Sequence, residues 1–159
     1  KISVLNNNEN KFENLKFKVH DNCIFDKNYE NYFDLILSNP PFFFTDKVLK
    51  SKNISINNSK YISELDLEKW LHNIILYLKA KGTAFIINRF ENIDFMLEIL
   101  KKFNLEVTTT PILSFKGSKP KNVLLKITKS DYFIEKTSNA IIIHDKLSKY
   151  SKDIVNWFK

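Results

Sequence analysis

Hydrophobic positions recur along this chain with two periods, and their alternation sets the expected architecture. Leu15, Phe17 and Val19 alternate with polar residues over Asn14–His20, as a half-buried strand requires. Phe33-Asp34-Leu35-Ile36-Leu37-Ser38 is a short apolar run of the kind expected for a strand buried on both faces, and Pro40 and Pro41 end it because neither can donate to a ladder. Phe42–Asn58 shows no firm period and reads as a loop. Leu67, Trp70, Leu71, Ile74, Ile75 and Leu78 then repeat at helical spacing behind a cap at Ser63 or Asp66, with Gly82 as the expected stop and Trp70 in the core. Strand patterns follow at Thr83–Ile87, Leu105–Thr110 and Val123–Thr128, with shorter ones at Tyr132–Ile134 and Ala140–His144. Helical patterns cover Ile93–Phe103 and Asp153–Phe158, the latter with Ser151 near its cap, and Lys1–Asn10 reads as the end of a helix. Alternating strands and helices predict one α/β domain spanning residues 1–159, and the strand-rich tail predicts an antiparallel element at the end of its sheet.

The length of 159 residues and a hydrophobic content of 43% suit a globular domain with a real core. No apolar run approaches the roughly 20 residues of a membrane span, and the chain reads as soluble and intracellular, with the cytoplasm as the expected compartment. A single cysteine, Cys23, excludes a disulfide framework, and His20, His72 and His144 are scattered without ligand spacing, so metal chemistry is not expected. The net charge of +7 fits a polyanionic partner. It has a second reading: of 25 basic residues only Arg89 is arginine, and abundant Lys, Asn and Ile are what an AT-rich coding sequence supplies.

Candidate chemistry concentrates at Asn39-Pro40-Pro41-Phe42. In doubly wound folds ligands gather beyond the carboxyl ends of the strands, where this tetrapeptide is predicted to lie. An exocyclic amine on an aromatic ring is a poor nucleophile, because its lone pair is conjugated into the ring. The Asn39 side-chain oxygen and the Pro40 carbonyl could accept both amine hydrogens and so turn the lone pair towards a methyl donor. Pro41 stiffens the turn, and Phe42 offers a face on which an everted base could stack. An ordinary Pro-Pro turn with Phe42 in the core is the simpler alternative.

With these residues the sequence resembles class I methyltransferases of the Asn-Pro-Pro-aromatic type. Within them it is most similar to the bacterial tRNA adenine-N6 methyltransferases that modify the adenine beside the valine tRNA anticodon. Phe33–Phe43, Leu67–Leu71 and Lys81–Arg89 match that family's blocks. Pro120–Leu124, Ile143-His144-Asp145 and Tyr150-Ser151 resemble its closing elements.

The resemblance implies a Rossmann-like, mostly parallel sheet with an antiparallel edge, in the order 3-2-1-4-5-7-6 by the family's strand count. It also implies S-adenosylmethionine as donor, an adenine N6 in tRNA as acceptor, and a chain that lacks the first two strands. On that reading the inner edge of Phe33–Ser38 has unpaired backbone groups.

The glycine-rich loop that holds the donor has no counterpart, since Gly82 and Gly117 stand alone. At the family's acidic cofactor contact this chain has Asp21-Asn22-Cys23, with Cys23 or, one small shift away, Asp21 in the contact position; Asn39 is the further cofactor neighbour. Asn122 stands where the family has arginine, and Ile62 where it has glutamate. Asp34 reads as a strand-start residue that orders the motif. Arg89, Lys119 and Lys121, with Lys116, are candidate contacts to RNA. Two rival functions use the same motif: methylation of a protein glutamine or of a guanine amine in ribosomal RNA. A third reading is an inactive remnant or RNA-binding module.

Overall fold

The computed structural model describes residues 14–16, 18, 20–44, 61–145 and 149–157. The expected helix end at Lys1–Asn10 and most of the loop expected over Phe42–Asn58 lie outside them. Eight strands and three α-helices are described: β1 (Phe33–Ser38), β2 (Phe43–Phe44), β3 (Tyr61–Ile62), α1 (Glu64–Tyr77), β4 (Leu78–Arg89), α2 (Ile93–Leu100), β5 (Leu105–Phe115), β6 (Asn122–Lys129), β7 (Ile134–Thr137), β8 (Ile141–His144) and α3 (Lys152–Trp157).

The main sheet has the order β1-β4-β6-β5-β7, with β8 also paired to β5. β1 runs parallel to β4, and β5 is parallel to β7 and β8, while β6 is antiparallel to both β4 and β5. All strands of this sheet but β6 therefore share one direction. This is the mostly parallel sheet that the pattern predicts, with its antiparallel strand β6 set between β4 and β5. β2 and β3 form a separate two-stranded parallel pair just beyond the end of β1.

The sequence explains why α1 forms. Ser63 Oγ accepts from the Asp66 amide at 3.0 Å, and Glu64 and Asp66 place negative charge on the first turn. Leu67, Leu71, Ile74 and Ile75 then form one buried face. That face and Ile93, Met96, Leu97 and Leu100 of α2 pack onto Ala84 and Ile86 of β4, Val123, Leu125 and Ile127 of β6, and Leu105 and Val107 of β5. The registers Ala84↔Ile127↔Val107 and Ile86↔Leu125 put these strand residues in one row on one face. Full burial of each large side chain contributes about 1.5–3 kcal/mol, so this layer fixes the sheet on which the site stands.

Three expectations fail, each for a visible reason. β1 is not buried on both faces: Leu35 is 55% and Leu37 74% exposed, whereas Ile36 packs against the core. Among the described residues β1 pairs only with β4, which leaves its other edge open, as the resemblance implies. Gly82 does not end α1. The helix stops at Tyr77 because Leu78 turns to extended backbone, and β4 continues through Gly82. The described positions of Asn14–His20 carry no strand, and Phe17 and Val19 lie outside them. The chain that follows is fastened to α1 by side chains instead: Asn73 Nδ2 donates to the Asn22 carbonyl at 2.8 Å, and Tyr77 Oη accepts from the Asp26 amide at 2.8 Å.

Candidate functional site

The Asn-Pro-Pro-Phe turn leaves β1 at the carboxyl end of the parallel strands. Its start is fixed from α1, where Trp70 Nε1 donates to Ser38 Oγ at 3.0 Å. Its end is fixed from the turn after β4, where Asn92 Nδ2 donates to the Phe42 carbonyl at 2.9 Å and to Asn88 Oδ1 at 2.8 Å. Asn88 Oδ1 also accepts from the Arg89 amide at 2.7 Å. Between these two anchors Asn39 is exposed, Pro40 is buried, and Pro41 and Phe42 are half-buried. The turn thus holds its proline in the protein and turns the Asn39 carboxamide towards solvent. Phe43 and Phe44 continue into β2, and Phe44 meets Phe95 of α2 edge-on at 5.5 Å between ring centres.

Arg89 joins this cluster. Its guanidinium lies 5.5 Å from the centre of the Phe43 ring, within reach of a cation–π attraction, and Nε is 3.7 Å from Glu91 Oε1. Lys121 is close along the backbone, since its carbonyl accepts from the Phe90 amide at 2.9 Å and Arg89 pairs with Asn122. Lys119 stands two residues farther out, exposed in the hairpin turn between β5 and β6. The structure therefore brings Asn39, Pro40, Pro41, Phe42, Arg89 and Lys121 to one end of the sheet.

Asp21 and Cys23 occupy a different place, beside α1. Asp21 Oδ1 accepts from the Cys23 amide at 2.9 Å, and the Cys23 thiol donates to the Asp66 carbonyl at 3.5 Å. Burial, then the negative charges of Asp66 and Asp21, push that thiol up to about 11. Cys23 lines a shallow depression with Leu65, Lys69 and His72. Its neighbour Asn22 lines a larger groove of about 630 Å³ that runs along β1 and includes Ser38, Trp70, Asn73 and Tyr77. That groove is the space that connects the Asp21–Cys23 loop to the Asn39 turn.

S-adenosylmethionine, which the resemblance implies, needs more than these residues offer. Gly82 is used in β4, and Gly117 sits in a hairpin turn at φ 81°. Asp21 already caps its own loop. The described residues do not make up a whole donor pocket. Among the described residues no group of three His, Cys, Asp or Glu side chains could hold a metal ion. No described helix is long and apolar enough to cross a membrane.

Sequence reasoning missed Asn88 and Asn92. Asn88 is 0% and Asn92 5% exposed, and both are spent on orienting the turn. Their spacing of four, directly behind an apolar strand, is a weak signal that a solvated turn gives equally well.

No protein-family model and no curated protein matches the sequence. Among solved structures, a predicted O-methyltransferase from Agrobacterium tumefaciens superposes with a TM-score of 0.60 at 14% identity, over 86% of this chain and 58% of that one. A modification subunit of a putative type I restriction enzyme from Vibrio vulnificus YJ016 covers 79% of this chain at a TM-score of 0.42 and 14% identity, too loose to carry weight. The first likeness shows the fold, a Rossmann-like methyltransferase sheet; the chain spans little more than half the length of that neighbour.

Proposed function

We propose that this chain forms the amine-accepting, carboxyl-terminal part of a methyltransferase domain that transfers a methyl group to the N6 amine of an adenine in tRNA. The observation that carries the reading is the anchored turn: Trp70 and Asn92 fasten its two ends while the Asn39 carboxamide between them remains exposed. Asn39 Oδ1 and the Pro40 carbonyl accept the two amine hydrogens, which withdraws the lone pair from the ring and aims it outward. Proline at 40 and 41 supplies no N–H to compete for those acceptors. Phe42 gives the base an aromatic face, and Arg89 and the lysines Lys119 and Lys121 neutralise RNA phosphates. S-adenosylmethionine, when bound, supplies the electrophilic methyl. Asp21, Cys23 and Asn39 line its approach in this reading, and the loop that cradles its methionine end has no counterpart in residues 1–159. The methyltransferase fold supports methyl transfer in general, and the exposed amide beside two prolines supports a flat amine as acceptor.

Transfer of labelled methyl groups from S-adenosylmethionine to unmodified tRNA by the full-length protein tests this. Asn39→Ala should lower the rate about 100-fold or more, as removal of one oriented hydrogen-bonding group from a reacting centre does. Full activity in that variant would sink the mechanism. Label appearing in a protein glutamine or in ribosomal RNA guanine, with none in tRNA, would reassign the acceptor.

A further inference from the structure

The end of β5, the end of β8 and the residue that bridges back to it bring together three aromatic rings that neither the core nor the Asn39 turn uses. Phe115, at the end of β5, meets His144 of β8 at 5.6 Å between ring centres, and His144 stacks on Tyr150 at 5.5 Å with only 18° between their planes. Phe115 is 39% and Tyr150 63% exposed. The backbone holds the stack open. Phe115 pairs with His144 in the β5–β8 ladder, and His144 forms an antiparallel bridge to Tyr150. Tyr150 is held beside β8, where the Asp145 amide donates to the Lys149 carbonyl at 2.8 Å. Ser151 fixes it there, donating from Oγ to the Ile142 carbonyl at 2.6 Å and from its amide to Ile143 at 2.9 Å. On the hairpin side, the Ser118 amide and hydroxyl both donate to the Phe115 carbonyl, at 3.1 and 2.8 Å, and Gly117 takes the positive φ that the turn requires. Lys116 and Lys149, next in sequence to Phe115 and Tyr150, are exposed, as are Lys119 and Lys121 farther along the same hairpin.

Single exposed aromatics on a surface need no explanation, but a contiguous stack fixed by backbone pairing, with exposed lysines beside it in sequence, is a different object. Ring faces without a protein partner accept flat groups, and the cations select anionic ones. Unpaired nucleotides satisfy both demands; a base pair within a duplex has no free face to offer. We propose that Phe115, His144 and Tyr150, with Lys116, Lys119 and Lys121, form a stacking platform for unpaired RNA bases next to the reacting adenine. The inference rests on the RNA acceptor proposed above and extends it to a second contact, reached along the edge of the sheet from Arg89 and Lys121. The rings are ordered before binding, so little conformational freedom is lost when bases stack on them.

Fluorescence anisotropy on the full-length protein, with a fluorescein-labelled decamer of oligoadenylate and a duplex of the same length as probes, tests the platform without cofactor. Tyr150→Ala, whose side chain is mostly exposed, and Phe115→Leu should each weaken decamer binding about tenfold, in line with the measured worth of one base–aromatic stack. Tyr150→Phe should bind as wild type does, and Lys119→Ala with Lys121→Ala should flatten the salt dependence. Duplex affinity should change less than decamer affinity in the aromatic variants. Decamer binding within twofold of wild type in both Tyr150→Ala and Phe115→Leu overturns the platform, as does an equal loss for decamer and duplex. The two readings fail separately. Methylation that does not depend on Asn39, with decamer affinity still lost in the aromatic variants, removes the methyl-transfer mechanism alone. Asn39-dependent methylation with unchanged decamer affinity in the aromatic variants removes the platform alone.

Discussion

Asn92 donates to two acceptors at once, the Phe42 carbonyl and Asn88 Oδ1, so replacing its carboxamide takes the side-chain donor from the Phe42 carbonyl and leaves Asn88 Oδ1 with the Arg89 amide alone. Asn92→Ala should cost about 1–3 kcal/mol in urea unfolding, the penalty for orphaning buried polar groups. It should also lower methyl transfer more than stability alone explains, because the turn loses its second anchor. A variant as stable and as active as wild type would show that the turn is held by other means. Cys23 makes a prediction of opposite character. Its raised value favours the thiol form in the folded state, so its contribution to stability is present below the unfolded value and lost as pH rises through about 11. Alkylation by iodoacetamide at pH 7.5 should therefore be about 100-fold slower in native protein than in urea, and equal rates would contradict the burial and charges that hold the thiol. The two residues also differ in what the sequence disclosed. The Asn39 motif was legible because two prolines end a strand in an unmistakable way. Asn92 was not, since an asparagine four residues from another reads equally well as a solvated turn.

The element that the pattern misplaced is the junction of α1 and β4. Leu78 continues the helical apolar spacing and is fully buried, so the sequence cannot distinguish a last helical turn from the first residue of a strand. Gly82 has a steric purpose instead. The β1–β4 register passes from Phe33↔Leu78 to Leu35↔Thr83, a bulge that takes up extra residues of β4. A Cβ on Gly82 would lie 2.8 Å from the Phe33 carbonyl oxygen and 2.8 Å from Leu78 Cδ1. The first of these is backbone and cannot swing aside, so Gly82→Ala should destabilise the protein by about 1–3 kcal/mol, as overpacking does. Gly117→Ala makes the control: no atom lies within 4 Å of its added Cβ, but φ is 81°, so its cost is conformational, about 1–2 kcal/mol. Gly82→Ala should also loosen β1, seen as faster amide exchange in Phe33–Ser38, whereas Gly117→Ala should leave those amides unchanged. Equal exchange in the two variants would show that the bulge does not position β1.

At the scale of the whole molecule, the fold class was within reach of the sequence, since alternating elements give an α/β sheet and a strand-rich tail gives it an antiparallel element; the strand order came only as an implication of the family resemblance. Solvent access was not within reach: a run such as Leu35-Ile36-Leu37 reads as buried on both sides whether or not anything covers it. In the structure the α1 and α2 side of the sheet carries the fully buried row, and the opposite row, Leu37↔Phe85 and Ile87↔Leu124, is exposed at Leu37 and half-buried beyond it. Among the described residues β1 is an edge strand with exposed leucines and one unpaired side, a template for association with another strand. Leu37→Lys should therefore lower self-association, read as a smaller concentration dependence in sedimentation velocity, while shifting the unfolding free energy by no more than about 0.5 kcal/mol. Ile86→Lys supplies the contrast. Ile86 pairs with Ser38 one step along the same ladder, yet it faces the core at 0% exposure, and an unpaired ammonium there should unfold the chain. If Leu37→Lys were as damaging as Ile86→Lys, both rows of the sheet would be buried, and β1 would not be the open edge that the Asn39 turn extends from.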